Sequence, residues 1–371
     1  MSRFTWITTP EQLSPLIAKW RQLSCLYLDT EFQRERTFYP QLALIQLSDG
    51  EQHYLIEPQA ARAELSFSEL LADPQVRKVF HSASEDCEVL FRYFNVVLRG
   101  LFDTQIAAAY LGLGPSMGYA AMVESLCGVR LAKGWSRSDW LQRPLSDEQL
   151  NYAVDDVEYL VGAYQQIQAL IAKAPEKQTW ITQECQELES RVEALDDYSL
   201  AYLDVKNAWR LNAEQLQRLY YLCRWREVEA RQSDRPKTFV LKNDELFELA
   251  RQGLTNGRLP FIEGWHPASR RRYGDTLQAL LSNISEQPEV DLLAPLSPKY
   301  WQSMTQSMQL MRRDIDKVAA ELKIEPEVLC SKKLLRRYVA YLLDNRREFP
   351  RGWTKLHEQF LSPVIKSHLN T

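Results

Sequence analysis

CLYLDTEF, Cys25–Phe32, decides how the chain is read. A short apolar run with β-favouring residues ends in two acids separated by one threonine, the pattern of a buried strand reaching the edge of a sheet. Side chains at i and i+2 leave a strand on the same face. Asp29 and Glu31 are therefore expected to project together, with Thr30 pointing away. Gln41–Leu47 (QLALIQL) and His53–Ile56 (HYLI) read as the next strands, bounded by Pro40, Asp49-Gly50 and Pro58. Asp49-Gly50 between two such runs predicts an antiparallel hairpin. Lys78–Phe80 (KVF) makes a fourth short strand and leads into a helix from about Ser84, whose first turn holds Glu85 and Asp86, as helix N-termini prefer. After a fifth apolar stretch over Asn95–Phe102, the chain reads as mostly helical from Thr104 to about Leu195.

Around this α/β region the composition is that of a globular protein: 371 residues, 45% hydrophobic and 25% charged. Such a length exceeds one compact core and predicts two or three domains. The formal charge of −4 conceals a division, because residues 1–200 carry a net −11 and residues 201–371 a net +7. That asymmetry suggests separate tasks for the two halves. The six cysteines are scattered with no C-x-x-C pair, which argues against a zinc ribbon or a redox pair. The opening MSRFTWITTPEQL has no leader pattern, and no apolar run approaches a membrane span. A cytoplasmic, monomeric chain with reduced thiols and no membrane partner is expected.

A boundary is expected near residues 190–212, after which the sequence is helical and basic. Val228, Ala230, Pro236, Val240-Leu241 and Leu246 are echoed by Val318, Ala320, Pro326, Val328-Leu329 and Leu335, an offset of about ninety that suggests module duplication. Gln287–Pro298, with three prolines, would join the copies. The expected division is 1–195 for the α/β domain, 196–211 for a linker, and 212–290 and 291–371 for two helical bundles.

The chemistry lies in the acids. Two carboxylates side by side repel and are costly to desolvate unless a positive partner sits between them, and a divalent cation with oxygen ligands suits that role. A lone D-x-E is most often just a solvated strand end. Asp86, beside the same sheet edge, and Asn151–Leu160 (NYAVDDVEYL) change that reading. Tyr152 and Asp156 are four apart and share a helical face, whereas Asp155 and Glu158 point elsewhere. Four converging acids with a tyrosine hydroxyl one turn away would form a two-metal site for in-line displacement at phosphorus.

The order DTEF (Asp29–Phe32), HSASED (His81–Asp86) and YAVDD (Tyr152–Asp156) resembles the three motifs of the DEDD 3′→5′ exonucleases, in the DEDDy form. LFDTQIAAAYLG (Leu101–Gly112) and SDWLQRPLS (Ser138–Ser146) look like the ribonuclease D family in particular, and the basic repeat resembles paired HRDC domains. The resemblance implies an α/β ribonuclease H-like exonuclease domain, a mixed sheet flanked by helices, followed by two all-α HRDC-type bundles. It implies that Asp29, Glu31, Asp86 and Asp156 ligate two divalent cations, Mg²⁺ or Mn²⁺, and that Tyr152 orients the attacking water. The substrate it implies is RNA with a free 3′ end, especially tRNA precursors and other small structured RNAs, cut to nucleoside 5′-monophosphates. The motifs alone also fit a DNA-directed exonuclease, or a binding scaffold with an inactive nuclease fold.

Other residues carry two readings each. Phe32 could pack against a base or sugar, although its side of the strand opposes that of Glu31 and makes core packing an equal choice. Lys332, Lys333, Arg336 and Arg337 form adjacent i, i+4 rows that either contact phosphates or are simply solvated. Arg270-Arg271-Arg272 and Arg346-Arg347 are the other dense basic clusters. His81 and Asp103 read as structural hydrogen-bonding groups, and core packing is the commoner fate of Trp135 and Trp140 over RNA stacking.

Overall fold

The computed structural model describes residues 3–131, 134–135 and 138–369, so the outermost residues of the expected first and last segments, Met1 of the opening included, lie outside the described residues. Six strands form one mixed sheet: β1 (Thr5–Ile7), β2 (Cys25–Gln33), β3 (Gln41–Ser48), β4 (His53–Ile56), β5 (Arg77–Phe80) and β6 (Leu101–Asp103), in the spatial order β1-β4-β3-β2-β5-β6. β3 runs antiparallel to both its neighbours, while the β1–β4, β2–β5 and β5–β6 pairs are parallel. The Asp49-Gly50 hairpin forms as expected, with Asp49 accepting the N–H groups of Glu51 and Gln52. β1 has no counterpart in the sequence reading, because three residues are too few to show a period. The expected stretch over Asn95–Phe102 shrinks to Leu101–Asp103, since Asn95 turns left-handed (φ 57°) and ends the preceding helix. Gly100 follows at φ 72°, where a Cβ would lie 2.8 Å from the Val76 carbonyl oxygen, so glycine is required there.

The helix Asp147–Ile171 covers β2, β3 and β4 on one face of the sheet. Its start is fixed by a capping box between Ser146 and Gln149, with Asp147 and Glu148 favourably placed in the first turn. Ala153, Val154, Val157, Leu160, Ala163 and Ile167 repeat at helical spacing and are buried. The helix Ser84–Phe94 also packs against β2 and β3.

The described residues divide into two compact units. One comprises 1–33, 40–194 and 307–371, and the other 34–39 and 195–306. The first therefore includes the C-terminal helices as well as the sheet. Within it, the helix Pro175–Arg191 anchors both, through the buried Lys177, whose Nζ donates to the carbonyls of Tyr110 at 2.6 Å and Lys323 at 2.9 Å. The second unit packs the helices Ala213–Gln232, Asn243–Gln252 and Pro267–Ser282 around Leu219, Leu222, Leu246, Leu249 and Leu277. Its buried Arg226 donates to the Leu241 carbonyl and to Asn243, while buried Glu227 pairs with Arg231 and Lys237.

His357 lies buried in the C-terminal segment. Its Nε2 faces the Leu329 carbonyl at 2.8 Å and its Nδ1 faces the Thr354 N–H at 3.0 Å, so Nε2 must donate and Nδ1 must accept. This neutral tautomer is satisfied, and burial pushes the pKa down to about 4. Because the folded value lies below the unfolded one near 6.5, His357 supports the fold fully above pH 6.5. That support is lost as the pH falls towards 4, a change of about 3 kcal/mol at most. Thermal unfolding of wild type and His357→Asn should show a gap that narrows across this window. A gap independent of pH would contradict the assignment.

Candidate active site

Local chain geometry brings the acids together. Asp29 and Glu31 leave one face of β2, which the helix Asp147–Ile171 covers, and Asp156 reaches them from that helix. One carboxylate oxygen from each of Asp29, Glu31 and Asp156 lies within 4.8 Å of the other two, with Glu31 and Asp156 buried. Asp86 stands beside this trio. Its carboxylate accepts a hydrogen bond from the Thr30 hydroxyl at 2.5 Å, so Thr30, on the opposite side of the strand from Asp29 and Glu31, holds the fourth acid. The turn that delivers Asp86 is tied down by Asp103, which accepts the N–H groups of Ser82 at 3.0 Å and Ala83 at 2.8 Å and also caps the helix Thr104–Tyr110. Asp103 and His81, whose Nδ1 meets the Thr104 hydroxyl at 2.9 Å, thus take the structural roles read from the sequence.

The electrostatics follow from this crowding. Desolvation pushes the carboxyl groups of Asp29 and Asp156 well above the ordinary range, Glu31 up to about 9 and Asp86 up to about 7. The charge of Asp86 adds to the rise at each of the other three. Asp156 Oδ2 is buried with no hydrogen-bond partner among the described residues. An orphaned carboxylate oxygen among hard oxygen donors is what a divalent cation would satisfy, and the donor set fits Mg²⁺ or Mn²⁺ better than a soft metal. Asp155 takes no part in the trio: its side chain and that of Glu158 are drawn to Arg3.

Tyr152 lies one turn before Asp156, and its phenol is pushed above its ordinary range by burial and by Asp156, Glu31 and Asp29. Its ring leans on Trp140 at 6.0 Å between centroids. Trp140 is fully buried with Leu44, Leu55, Ala153 and Val154, which settles it as a packing residue, whereas Trp135 is 36% exposed. Phe32 is half-buried and follows a register shift between Glu31 and Phe32, where Ala43 is the extra residue on β3. Arg143 secures that bulge. Its guanidinium donates to the carbonyls of Ala43, Trp140 and Gln142 and to both Glu57 oxygens, using all five N–H groups.

Sequence reasoning missed the bond from Thr30 to Asp86, and it missed Arg143 and Tyr119, whose half-buried phenol feels the charges of Asp156 and Asp29. For Arg143 no local signal exists, because Ala43 and Glu57 are remote in sequence. The basic residues Lys332, Lys333, Arg336 and Arg337 are exposed on the helix Lys332–Leu343. Lys333 and Arg337 line a cleft of about 470 Å³ together with Arg191, Arg351, Glu184 and Glu327. Arg346 and Arg347 are paired with Asp344, and Arg270 lies over the Trp265 ring.

Comparison with known proteins agrees with this geometry. Residues 4–172 match the 3′-5′ exonuclease family and residues 215–281 match the HRDC domain. A ribonuclease D of Pseudomonas paraeruginosa is 39% identical over 335 residues, covering 89% of this chain and 88% of the relative. The ribonuclease D of Escherichia coli K12 is 36% identical over 340 residues, 89% of this chain and 88% of its own. The crystal structure of Escherichia coli RNase D, described as an exoribonuclease involved in structured RNA processing, superposes with a TM-score of 0.88 at 32% identity, covering 100% of this chain and 99% of that one.

Proposed function

The chain belongs to the ribonuclease D family and is a hydrolytic 3′→5′ exoribonuclease, and from that premise we propose that it shortens RNA by a two-metal-ion mechanism at Asp29, Glu31, Asp86 and Asp156. The observation that carries this reading is the gathering of the three carboxylates within 4.8 Å, with the oxygen of Asp156 left unsatisfied. Bound cations would supply a hydroxide near neutral pH and stabilise the departing 3′-oxygen. Asp29, Glu31 and Asp156 would hold them from the sheet and the long helix, with Asp86 completing the set. Tyr152 holds the attacking water by its hydroxyl, for which a high pKa is no obstacle because the phenol donates as a neutral group. Water adds to the last phosphorus, the 3′-oxygen of the preceding nucleotide leaves, and a nucleoside 5′-monophosphate is released. Phe32, half-buried beside Glu31, packs against the terminal nucleotide.

The same reading assigns residues 212–290 and 291–371 to two HRDC-type modules after a 196–211 linker. Both segments hold a long helix, a one-turn helix beginning just after or at a proline (Lys237–Val240, Pro326–Leu329) and then another helix (Asn243–Gln252, Lys332–Leu343). Lys332, Lys333, Arg336 and Arg337 are assigned to backbone phosphates of the RNA. Precursor tRNAs and other small structured RNAs are the substrates, and the enzyme works as a cytoplasmic monomer. Among the described residues no helix is long and apolar enough to cross a membrane.

A 5′-labelled tRNA precursor tests this reading, alongside an unstructured RNA and a DNA of the same length, with and without EDTA. A ladder shortening from the 3′ end, abolished by EDTA and strongest on RNA, is expected. Tyr152→Phe should slow that ladder by about tenfold or more with Mn²⁺ binding retained. Endonucleolytic products, or cleavage surviving EDTA, would contradict the mechanism, and an unchanged rate in the Tyr152 variant would remove its water-holding role.

A further inference from the structure

Gln46 is the polar residue in the middle of β3, within QLALIQLS. It is fully buried, and neither its Oε1 nor its Nε2 has a hydrogen-bond partner among the described residues. Buried amides are normally satisfied, so an orphaned one calls for a physical reason, such as a group that binds only in the working state. The register supplies one. Gln46 stands directly opposite Asp29 on β2 and opposite Leu55 on β4. Directly opposed residues of antiparallel strands share a face, with Cβ atoms roughly 5 Å apart. The glutamine side chain carries its amide two bonds beyond Cβ, within reach of its neighbour's carboxylate. This face is the one covered by the helix that bears Asp156, because Leu44 and Leu55 share an apolar cluster with Ala153 and Val154. Asp29 meanwhile draws a hydrogen bond from the Thr30 backbone.

We propose that Gln46 is a positioning residue for the metal site, its Nε2 donating to the Asp29 oxygen turned away from the cation when the site is loaded. An outer hydrogen bond of this kind fixes a ligating carboxylate in the orientation the cation requires. The proposal rests on the assignment of the Asp29, Glu31 and Asp156 cluster as the cation site.

The test compares Gln46→Met and Gln46→Leu with wild type in the full chain, by melting temperature in EDTA and by Mn²⁺ affinity in calorimetry, with Asp156→Asn in parallel. Both Gln46 variants remove an unsatisfied amide and keep the volume close, so the metal-free melting temperature should hold or rise. Mn²⁺ affinity should fall by about tenfold or more. A lower metal-free melting temperature in both variants would make Gln46 a packing residue and overturn the proposal. So would Mn²⁺ affinity within twofold of wild type. If Asp156→Asn weakens Mn²⁺ binding and the Gln46 variants do not, the positioning role alone fails; if Asp156→Asn also binds normally, the ligand assignment fails with it.

Discussion

Asp156→Asn is expected to lower the rate of RNA hydrolysis by on the order of 10³-fold or more, with the fold intact. Asparagine keeps the shape of aspartate, so the packing of Ala153, Val154 and Val157 around it is undisturbed. What changes is charge. Asp156 is buried beside two further carboxylates, and desolvation already disfavours its ionised form. The substitution therefore relieves repulsion in the metal-free protein, and its melting temperature in EDTA should rise or stay level. Activity should nevertheless collapse, because a neutral amide is a far weaker ligand for a hard divalent cation than a carboxylate. This opposition of stability and activity separates a site under electrostatic strain from an ordinary buried acid. Turnover near that of wild type would remove Asp156 from the mechanism.

Trp140→Ala is expected to cost about 3–5 kcal/mol of stability, read as a lower denaturant midpoint. The ring is buried among Ala43, Leu44, Leu55, Leu145, Ala153 and Val154, and its indole N–H has no hydrogen-bond partner among the described residues, so the cost is one of packing. A second effect should accompany it. Tyr152 leans on this ring, and removing the support should let the phenol move relative to Asp156. At temperatures where the variant is still folded, kcat should fall with KM little changed. Trp140→Phe, which keeps an aromatic surface, should recover much of both losses. A variant that loses stability yet keeps full kcat would show that Tyr152 needs no support from Trp140.

Sequence periodicity reaches some of these features and cannot reach others. The alternation in CLYLDTEF places Asp29 and Glu31 on one face, and the spacing of Tyr152 and Asp156 places both on one side of a helix, so the acidic trio is legible in the primary structure. The position of Asp86 is only half legible. Its place at a helix start follows from local acids, but the hold of Thr30 upon it depends on how that helix packs against β2. The bulge opposite Glu31 leaves no trace in the sequence, since it arises from a mismatch in pairing between β2 and β3, and Arg143 stabilises it from 100 residues away. Gln46 does stand out as an amide in an apolar run, yet only the register shows that it faces Asp29. β1 is too short for any period to declare it. The basic residues of the last helices are legible as a charged face, and their exposure agrees with that reading without selecting a partner.

Titration of the full chain with Mn²⁺ by calorimetry, for wild type and Asp156→Asn, is the measurement that bears most directly on the central claim. Two equivalents should bind to the wild type. In the variant at least one of them should be lost or weakened at least tenfold, in step with the loss of hydrolysis. A wild type that cleaves RNA while binding no Mn²⁺, or a variant that binds two equivalents as tightly as the wild type, would contradict it.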